Sequence, residues 1–167
     1  MSGIPEWATE RLLNASSETV WKAWTDPTLF SRWYGPGVET IVHEMDVRAG
    51  GQCRIELKSP NGSINQRFEY LSVEQPEKLS WAFATADENW ELTRSPLIEH
   101  WPGVLISTMS IELLSGKPMM RFTWSPYRAS DEEIACFKAH RLDIDAAWNA
   151  AFSALEATLA ETESPSE

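Results

Sequence analysis

The 167 residues suit a single domain, and a composition of 43% hydrophobic and 23% charged residues is typical of a globular chain, which excludes disordered and fibrous classes. The formal net charge is -11 at pH 7, from 25 acidic against 14 basic side chains. Because this charge repels phosphate backbones and anionic lipid, we expect neither nucleic acid nor membrane among the partners.

The first residues and the two cysteines bear on the compartment. The start, MSGIPEWATE, has no basic region followed by an apolar run, and no segment reaches the roughly 18 apolar residues of a membrane helix. Cys53 and Cys136 are too few for a disulfide framework, and neither has a Cys or His at metal-ligand spacing. We therefore predict a cytoplasmic chain.

The amino-terminal part predicts one strand and two short helices. Residues 10–15 alternate loosely, as a first strand does. In residues 16–25 a serine cap precedes an apolar stripe of valine and tryptophan, which predicts a helix. Asp26 and Pro27 then start a second helix, which ends in the motif RWYGPG.

Turn residues separate six further strands between Val38 and Trp124. The clearest is QCRIELK, in which the apolar side chains fall on one face and the polar side chains on the other. Asn61-Gly62 predicts a hairpin turn after it. Since the turns are too short for crossovers, we expect an antiparallel sheet.

Two further segments complete the pattern, a long stretch in the middle of the chain and a helical one at its end. The stretch from Asp87 to Gly103 has no clear period and is longer than the ~12 to 15 residues that structureless connections in compact domains seldom exceed, so we interpret it as an ordered loop over one mouth of the fold. From Ser130, acidic residues fill the first turn and apolar residues then keep helical spacing for roughly 25 residues, without Gly or Pro. This predicts one long C-terminal helix, followed by a polar tail at 161–167.

Several segments, in this order along the chain, carry a family resemblance. They are SSETVWKAWTDPTLFSRWYGPG, DVRAGGQCRIEL, PNG, FEYLSVEQPEKLSW, TWSPYRASDEEIACF and the helix positions Trp148, Phe152, Leu155 and Leu159. Together they resemble the SRPBCC superfamily, in the branch named after activators of the heat-shock-protein ATPase. The resemblance implies one α+β helix-grip domain over residues 1–160, in which a curved antiparallel sheet of about seven strands (β-α-α-β6-α) wraps a long C-terminal helix.

The resemblance also implies a function. The wider superfamily holds lipids, hormones, polyketides or other hydrophobic molecules in an apolar tunnel between sheet and helix, and it has no universal catalytic residue. We expect this chain to bind a small hydrophobic or aromatic molecule there, without a cofactor. Two positions depart from the family: Ala147 and Phe68 stand where many members have Gly, and the ring of Phe68 is expected to shrink any cavity.

The candidate cavity residues are the side chains expected to face inward, with two charged groups among them. A packed core explains most of them, but nine Trp are more than packing ordinarily calls for, and aromatic rings with a few polar groups also line ligand cavities. The full set is Trp33, Tyr34, Ile55, Glu69, Trp81, Phe83, Met109, Ile111, Met120, Phe122, Trp124, Phe137, Arg141, Ile144, Trp148 and Phe152.

Three of these residues carry more specific expectations. Trp33 is expected to plug the junction of helices and sheet, and Tyr34, one residue on, to place its hydroxyl at the tunnel rim. If Arg141 faces inward, its guanidinium would orient an acidic ligand. Otherwise it reaches the rim or pairs with Glu69 or Glu112.

Two other functions stay open at this stage. A co-chaperone-like module would bind a chaperone through an exposed apolar patch. A cyclase or hydrolase would need an acid or base beside the ligand, for which His43, Glu69 and His140 are the candidates. The run from His43 to Asp46 is too short and strand-like to hold a metal, so we expect none. The chain is expected to be a monomer or a homodimer.

Overall fold

The computed structural model describes residues 5–163. The elements in chain order are β1 (Trp7–Leu12), α1 (Ser17–Thr25), α2 (Pro27–Trp33), β2 (Glu39–Met45), β3 (Gln52–Ser59), β4 (Gly62–Glu74), β5 (Lys78–Ala86), β6 (Leu92–Thr93), β7 (Leu105–Leu114), β8 (Lys117–Pro126), α3 (Asp131–Ala139) and α4 (Arg141–Glu163). The predicted α+β class is confirmed. Most of the predicted polar tail lies outside the described residues, and its first three residues continue α4.

The strands form one antiparallel sheet in the order β1-β8-β7-β5-β4-β3-β2, with β6 beside β5. This arrangement, with α4 against the sheet's inner side, is the predicted helix-grip fold. There are eight strands where about seven were expected, because residues 92–93 pair with Thr85 and Ala86 inside the predicted loop. A two-residue strand is too short to show a period of two in sequence.

The first strand begins earlier than predicted. It runs from Trp7 to Leu12, and Trp7 pairs with Trp124 on β8. The predicted strand at 10–15 overlaps only the last three residues of β1. The alternation of β1 begins three residues earlier, at the buried Trp7. Leu13, just after the strand, is buried and its N–H bonds to the carbonyl of Pro118.

The C-terminal helix is divided where one continuous helix was predicted. His140, between α3 and α4, has φ -96° and ψ 14°. Its own N–H still donates to the carbonyl of Cys136, and the N–H of Ile144 donates to the carbonyl of His140. The ring Nδ1 of His140 donates to that same Cys136 carbonyl at 2.8 Å. The division therefore coincides with a ring hydrogen bond to a helix carbonyl, which a pattern of apolar spacing does not reveal.

The interior between sheet and helix is packed with aromatic rings. Trp24 lies at its centre, with ring centroids 4.7 Å from Trp33, 5.5 Å from Trp81 and 5.7 Å from Phe122. Phe68 stacks on Trp81 at 5.2 Å and is 2% exposed. The expected tunnel along the grip is therefore filled by side chains, and Phe68 is among those that fill it.

Candidate functional site

An open pocket of about 520 Å³ lies at one end of the grip. Its walls come from α4, the turn after α2, the inner face of the sheet and the 87–103 loop. The lining residues are Tyr34, Gly35, Pro36, Val38, Leu57, Gln66, Phe83, Ile98, Trp101, Trp124, His140, Asp143, Ile144, Ala147, Trp148, Ala150 and Ala151. This volume falls within the ~300–1,000 Å³ of small-molecule sites, and the lining is almost entirely apolar.

The pocket brings together five of the candidate cavity residues proposed from sequence, as well as His140, which was proposed as an acid or base. The five are Tyr34, Phe83, Trp124, Ile144 and Trp148. The other apolar candidates do not line it, because they pack inside the sheet and against the helices. These are Trp33, Ile55, Trp81, Met109, Ile111, Met120, Phe122, Phe137 and Phe152, all buried. Trp33 is fully buried and its indole N–H donates to the carbonyl of Ala23 at 2.8 Å, as expected of a plug.

The two charged candidates lie outside the pocket. Glu69 is exposed because it falls between Phe68 and Tyr70, both of which face the core, and successive strand residues alternate faces. Arg141 is exposed and lies along a separate groove with Trp7 and Phe137. The expectation that Arg141 orients an acidic ligand is therefore corrected. Asp143, which the sequence argument did not single out, lines the pocket instead.

Tyr34 stands at the edge of the pocket, where the chain leaves α2. Gly35 at φ +71° and Gly37 at φ +90° make the turn into β2 that fixes this position. The ring of Tyr34 stacks on Phe30 at 4.6 Å, and its hydroxyl donates to Oε1 of Gln66 at 2.6 Å. Burial raises the pKa of the phenol well above its usual value, so Tyr34 is neutral at physiological pH.

Three tryptophans from distant parts of the chain form an aromatic corner in the pocket: Trp101, Trp124 and Trp148. The ring centroids of Trp101 and Trp124 are 6.1 Å apart. Those of Trp124 and Trp148 are 5.5 Å apart, with the planes at 89°. The indole N–H of Trp124 donates to Ser107 Oγ at 2.8 Å, so its polar atom is satisfied within the protein.

Trp101 and Ile98 bring the 87–103 loop to the pocket. The loop is held to α3 by an ion pair between Arg94 and Glu133 and by a hydrogen bond from the Cys136 thiol to the carbonyl of Glu99. Its interpretation as an ordered loop at one mouth of the fold agrees with this placement. Sequence reasoning missed the role of Trp101, because a segment without a period does not show which side chains turn inward.

His140 and Asp143 are the titratable groups on the helical wall. Nδ1 of His140 faces the Cys136 carbonyl, which can only accept, so in the neutral ring Nε2 carries the lone pair. The rings of His140 and Trp101 are nearly perpendicular, with their centroids 5.9 Å apart. Within residues 5–163, Asp143 takes part in no ion pair and no side-chain hydrogen bond.

His43, the other proposed acid or base, lies elsewhere. Its Nε2 is 2.9 Å from Glu56 Oε1, and Ser63 Oγ donates to Glu56 Oε2 at 2.8 Å. The bond to His43 first, and that to Ser63 second, hold the pKa of Glu56 below its usual range. Because the carboxylate stands between the serine and the histidine, the histidine cannot take the serine proton as a catalytic triad requires. Among the described residues, no group of three or more Asp, Glu, His or Cys could hold a metal.

The sequence matches the family model described as "Activator of Hsp90 ATPase homolog 1-like protein" over residues 14–160. The chain belongs to this family. The family lies in the SRPBCC superfamily, as the resemblance indicated, and its members typically bind small ligands. A search of curated proteins finds no match. In the part of the chain that the structure describes, no helix is long and apolar enough to cross a membrane.

Solved bacterial structures share the fold. A protein from Staphylococcus epidermidis superposes with a TM-score of 0.77 at 18% identity, covering 100% of this chain and 96% of that one. A protein from Arthrobacter aurescens gives 0.76 at 21% identity, covering 93% and 86%. A protein from Mycobacterium smegmatis gives 0.74 at 17% identity, covering 95% and 96%. Identities this low establish common architecture and leave the ligand to be argued from this chain's own pocket.

Proposed function

We propose that this chain binds a small, hydrophobic, aromatic molecule in the pocket at the end of the grip. The observation that carries the proposal is the aromatic corner of Trp101, Trp124 and Trp148, three rings from three elements that face one open volume of about 520 Å³. Such rings gain free energy when an apolar ligand removes them from water, and they orient a flat ligand by edge and face contacts.

The polar groups of the pocket favour a ligand with at least one hydrogen-bonding group. Oε1 of Gln66 accepts from Tyr34, whereas the amide nitrogen of Gln66 has no hydrogen-bond partner within residues 5–163. A ligand acceptor placed near Gln66 would satisfy it. A few convergent polar groups in an apolar lining are the usual composition of a small-molecule site.

The filled interior supports the location. A ligand in the middle of the sheet would have to displace rings such as Trp24, Trp81 and Phe122, which are packed centroid to centroid within 6.0 Å of one another. Packed cores resist added volume at a cost of about 1 to 3 kcal/mol or more. The end pocket needs no such displacement.

Titration calorimetry with 2-naphthalenemethanol, a neutral aromatic alcohol, tests the proposal. The pocket-filling variant is Ala147→Phe, since Ala147 is exposed in the pocket wall. The matched control is Ala146→Phe, which adds the same ring one position earlier on α4, at an exposed residue outside the lining.

We expect Ala147→Phe to lose at least about ten-fold in affinity, because most of the apolar contact area is blocked, and Ala146→Phe to bind as the wild type does. Circular dichroism should show both variants folded. Absence of binding to the wild type, or equal affinity in the two variants, would contradict the proposal.

The other predicted functions remain predictions. No contact or distance favours a chaperone partner, or a cyclase or hydrolase activity, over ligand binding. The cytoplasmic location and the monomeric or dimeric state also stay predictions. Of the proposed acids and bases, only His140 lines the pocket.

A further inference from the structure

We propose that the aromatic molecule bound in this pocket is an amine, protonated at neutral pH. The inference rests on the proposed function and specifies the ligand's charge. Three features of the helical wall and the aromatic corner support it: an unpaired carboxylate, an imidazole lone pair and a set of indole faces.

Asp143 provides the carboxylate. It lies in the first turn of α4 and lines the pocket, with no ion pair or side-chain hydrogen bond in the described chain. Among residues 5–163, no Lys or Arg lines the pocket. The cationic side chains nearest to Asp143 in sequence are Lys138 and Arg141, and both lie along the separate groove beside Trp7. The only formal charge on the lining at neutral pH, with histidine neutral, is therefore negative.

His140, three residues before Asp143 and on the same pocket lining, adds an acceptor. Its Nδ1 is committed as a donor to the Cys136 carbonyl at 2.8 Å, so Nε2 of the neutral ring can only accept. An ammonium group has donors for both Nε2 and the Asp143 carboxylate. A ligand carboxylate has none, and it would meet the negative charge of Asp143 instead.

The aromatic corner is the third feature. Cations are attracted to the faces of indole rings, and the attraction is stronger for Trp than for Phe or Tyr. The plane of Trp124 is at 89° to that of Trp148 and at 60° to that of Trp101, so the three indoles on the lining are oriented in different directions. An aromatic ring with an amine one carbon away could pack its carbon against one indole and place its ammonium against another. This reverses the acidic ligand that an inward-facing Arg141 would have selected.

Three probes of one shape test the inference: 2-naphthylmethylamine, 2-naphthalenemethanol and 2-naphthoic acid, titrated calorimetrically at pH 7 and low ionic strength. We expect the amine to bind about five-fold more tightly than the alcohol, and the acid to bind about three-fold more weakly than the alcohol. The modest ratios reflect the exposure of Asp143, where solvent screens charge.

Two variants locate the effect. Asp143→Asn should weaken the amine by about three-fold relative to the alcohol, because only the amine carries the charge that Asp143 attracts. Asp145→Asn removes the same charge two residues on, where Asp145 accepts from the indole N–H of Trp7 and lies outside the pocket. It should leave all three affinities unchanged, which separates a contact in the pocket from the net charge of the protein and from the helix dipole.

The outcomes distinguish the amine inference from the proposed binding of an aromatic molecule. If the alcohol binds and the three probes bind equally, or the acid binds best, the amine inference is wrong and the hydrophobic pocket stands. If Asp143→Asn and Asp145→Asn weaken the amine equally, the preference arises from overall charge and the assignment to Asp143 is wrong. If no probe binds, both the inference and the proposed function are wrong.

Discussion

The hydroxyl of Tyr34 donates a 2.6 Å hydrogen bond to Oε1 of Gln66 and so joins the end of α2 to the inner face of β4. The two residues are 32 positions apart and both line the pocket. The bond holds the Tyr34 ring at the pocket edge, and the Gln66 amide nitrogen has no hydrogen-bond partner among residues 5–163.

A double-mutant cycle on this pair measures how strongly it holds the pocket edge. Tyr34→Phe and Gln66→Leu should each cost about 1 to 2 kcal/mol in the free energy of unfolding, since the first leaves the half-buried Gln66 amide and the second the buried Tyr34 hydroxyl unpaired. The double variant should cost less than the sum by about 1 kcal/mol. Urea unfolding checks this, and strictly additive costs would mean that the bond contributes no coupling.

The stability of the fold should fall at alkaline pH. Burial, with a smaller contribution from Cys53, raises the pKa of both Tyr34 and Tyr70 in the folded protein. The unfolded chain releases these protons near the ordinary tyrosine pKa while the folded chain keeps them. The stabilisation is therefore fully present below about pH 10 and is lost as pH rises above it, at about 1.4 kcal/mol per pH unit for each tyrosine.

Tyr34→Phe isolates the contribution of Tyr34 to the loss of stability at alkaline pH. Between about pH 10 and about pH 11, the free energy of unfolding measured in urea should fall by about 1 kcal/mol more in the wild type than in the variant, since the unfolded tyrosine is already half ionised at about pH 10. Parallel slopes would show that Tyr34 ionises in the folded protein.

The pocket wall contributed by the 87–103 loop can be tested with two tryptophans of that loop. Trp101 meets Trp124 and Phe137 in the pocket region, whereas Trp90 contacts His43 and Arg54 on a separate surface. Trp101→Ala should weaken 2-naphthalenemethanol by about ten-fold or more, because it removes one of three aromatic faces. Trp90→Ala, the control, should bind like the wild type, and a matching loss in both variants would mean that the loop acts only as a whole.

Phe68 connects the pocket to the packed interior. It meets Tyr34 edge-on at 6.1 Å and stacks on Trp81 at 5.2 Å. Phe68→Ala should cost about 3 to 5 kcal/mol in stability and extend the pocket inward, so that a three-ring alcohol such as 9-anthracenemethanol gains affinity relative to 2-naphthalenemethanol. Thermal unfolding and calorimetry measure the two effects. A cost under about 1 kcal/mol would mean that the interior collapses around the missing ring.

The fold could be predicted from sequence where local chemistry decides it. Ser16 accepts from the N–H of Thr19, and Asp26 from those of Thr28 and Leu29, so the caps that the sequence shows do begin the two short helices. The division of the C-terminal helix could not be predicted in this way, because the His140 ring bond to the Cys136 carbonyl that accompanies it depends on a side-chain rotamer.

The pocket was less accessible to sequence reasoning than the core. Apolar periodicity identifies the inward face of a strand but not the position along it. Phe122 and Trp124 share the inner face of β8, yet Phe122 lies in the filled interior and Trp124 lines the pocket. Glu69 and Arg141 illustrate the opposite difficulty. Their residue types suggested a site, whereas strand alternation and the start of α4 direct them to the outside. Asp143, Gln66 and Trp101, from distant parts of the chain, are brought to one pocket only by folding.

The most direct test of the central claim is to locate a bound aromatic probe by NMR. In isotope-filtered NOE spectra of the protein with 2-naphthalenemethanol, we expect contacts from the naphthalene protons to the indole protons of Trp101, Trp124 and Trp148. Contacts to Trp24 and Trp81 in the filled interior should be absent. NOEs to those interior rings instead, or no NOEs at saturating probe, would contradict a ligand site at the open end of the grip.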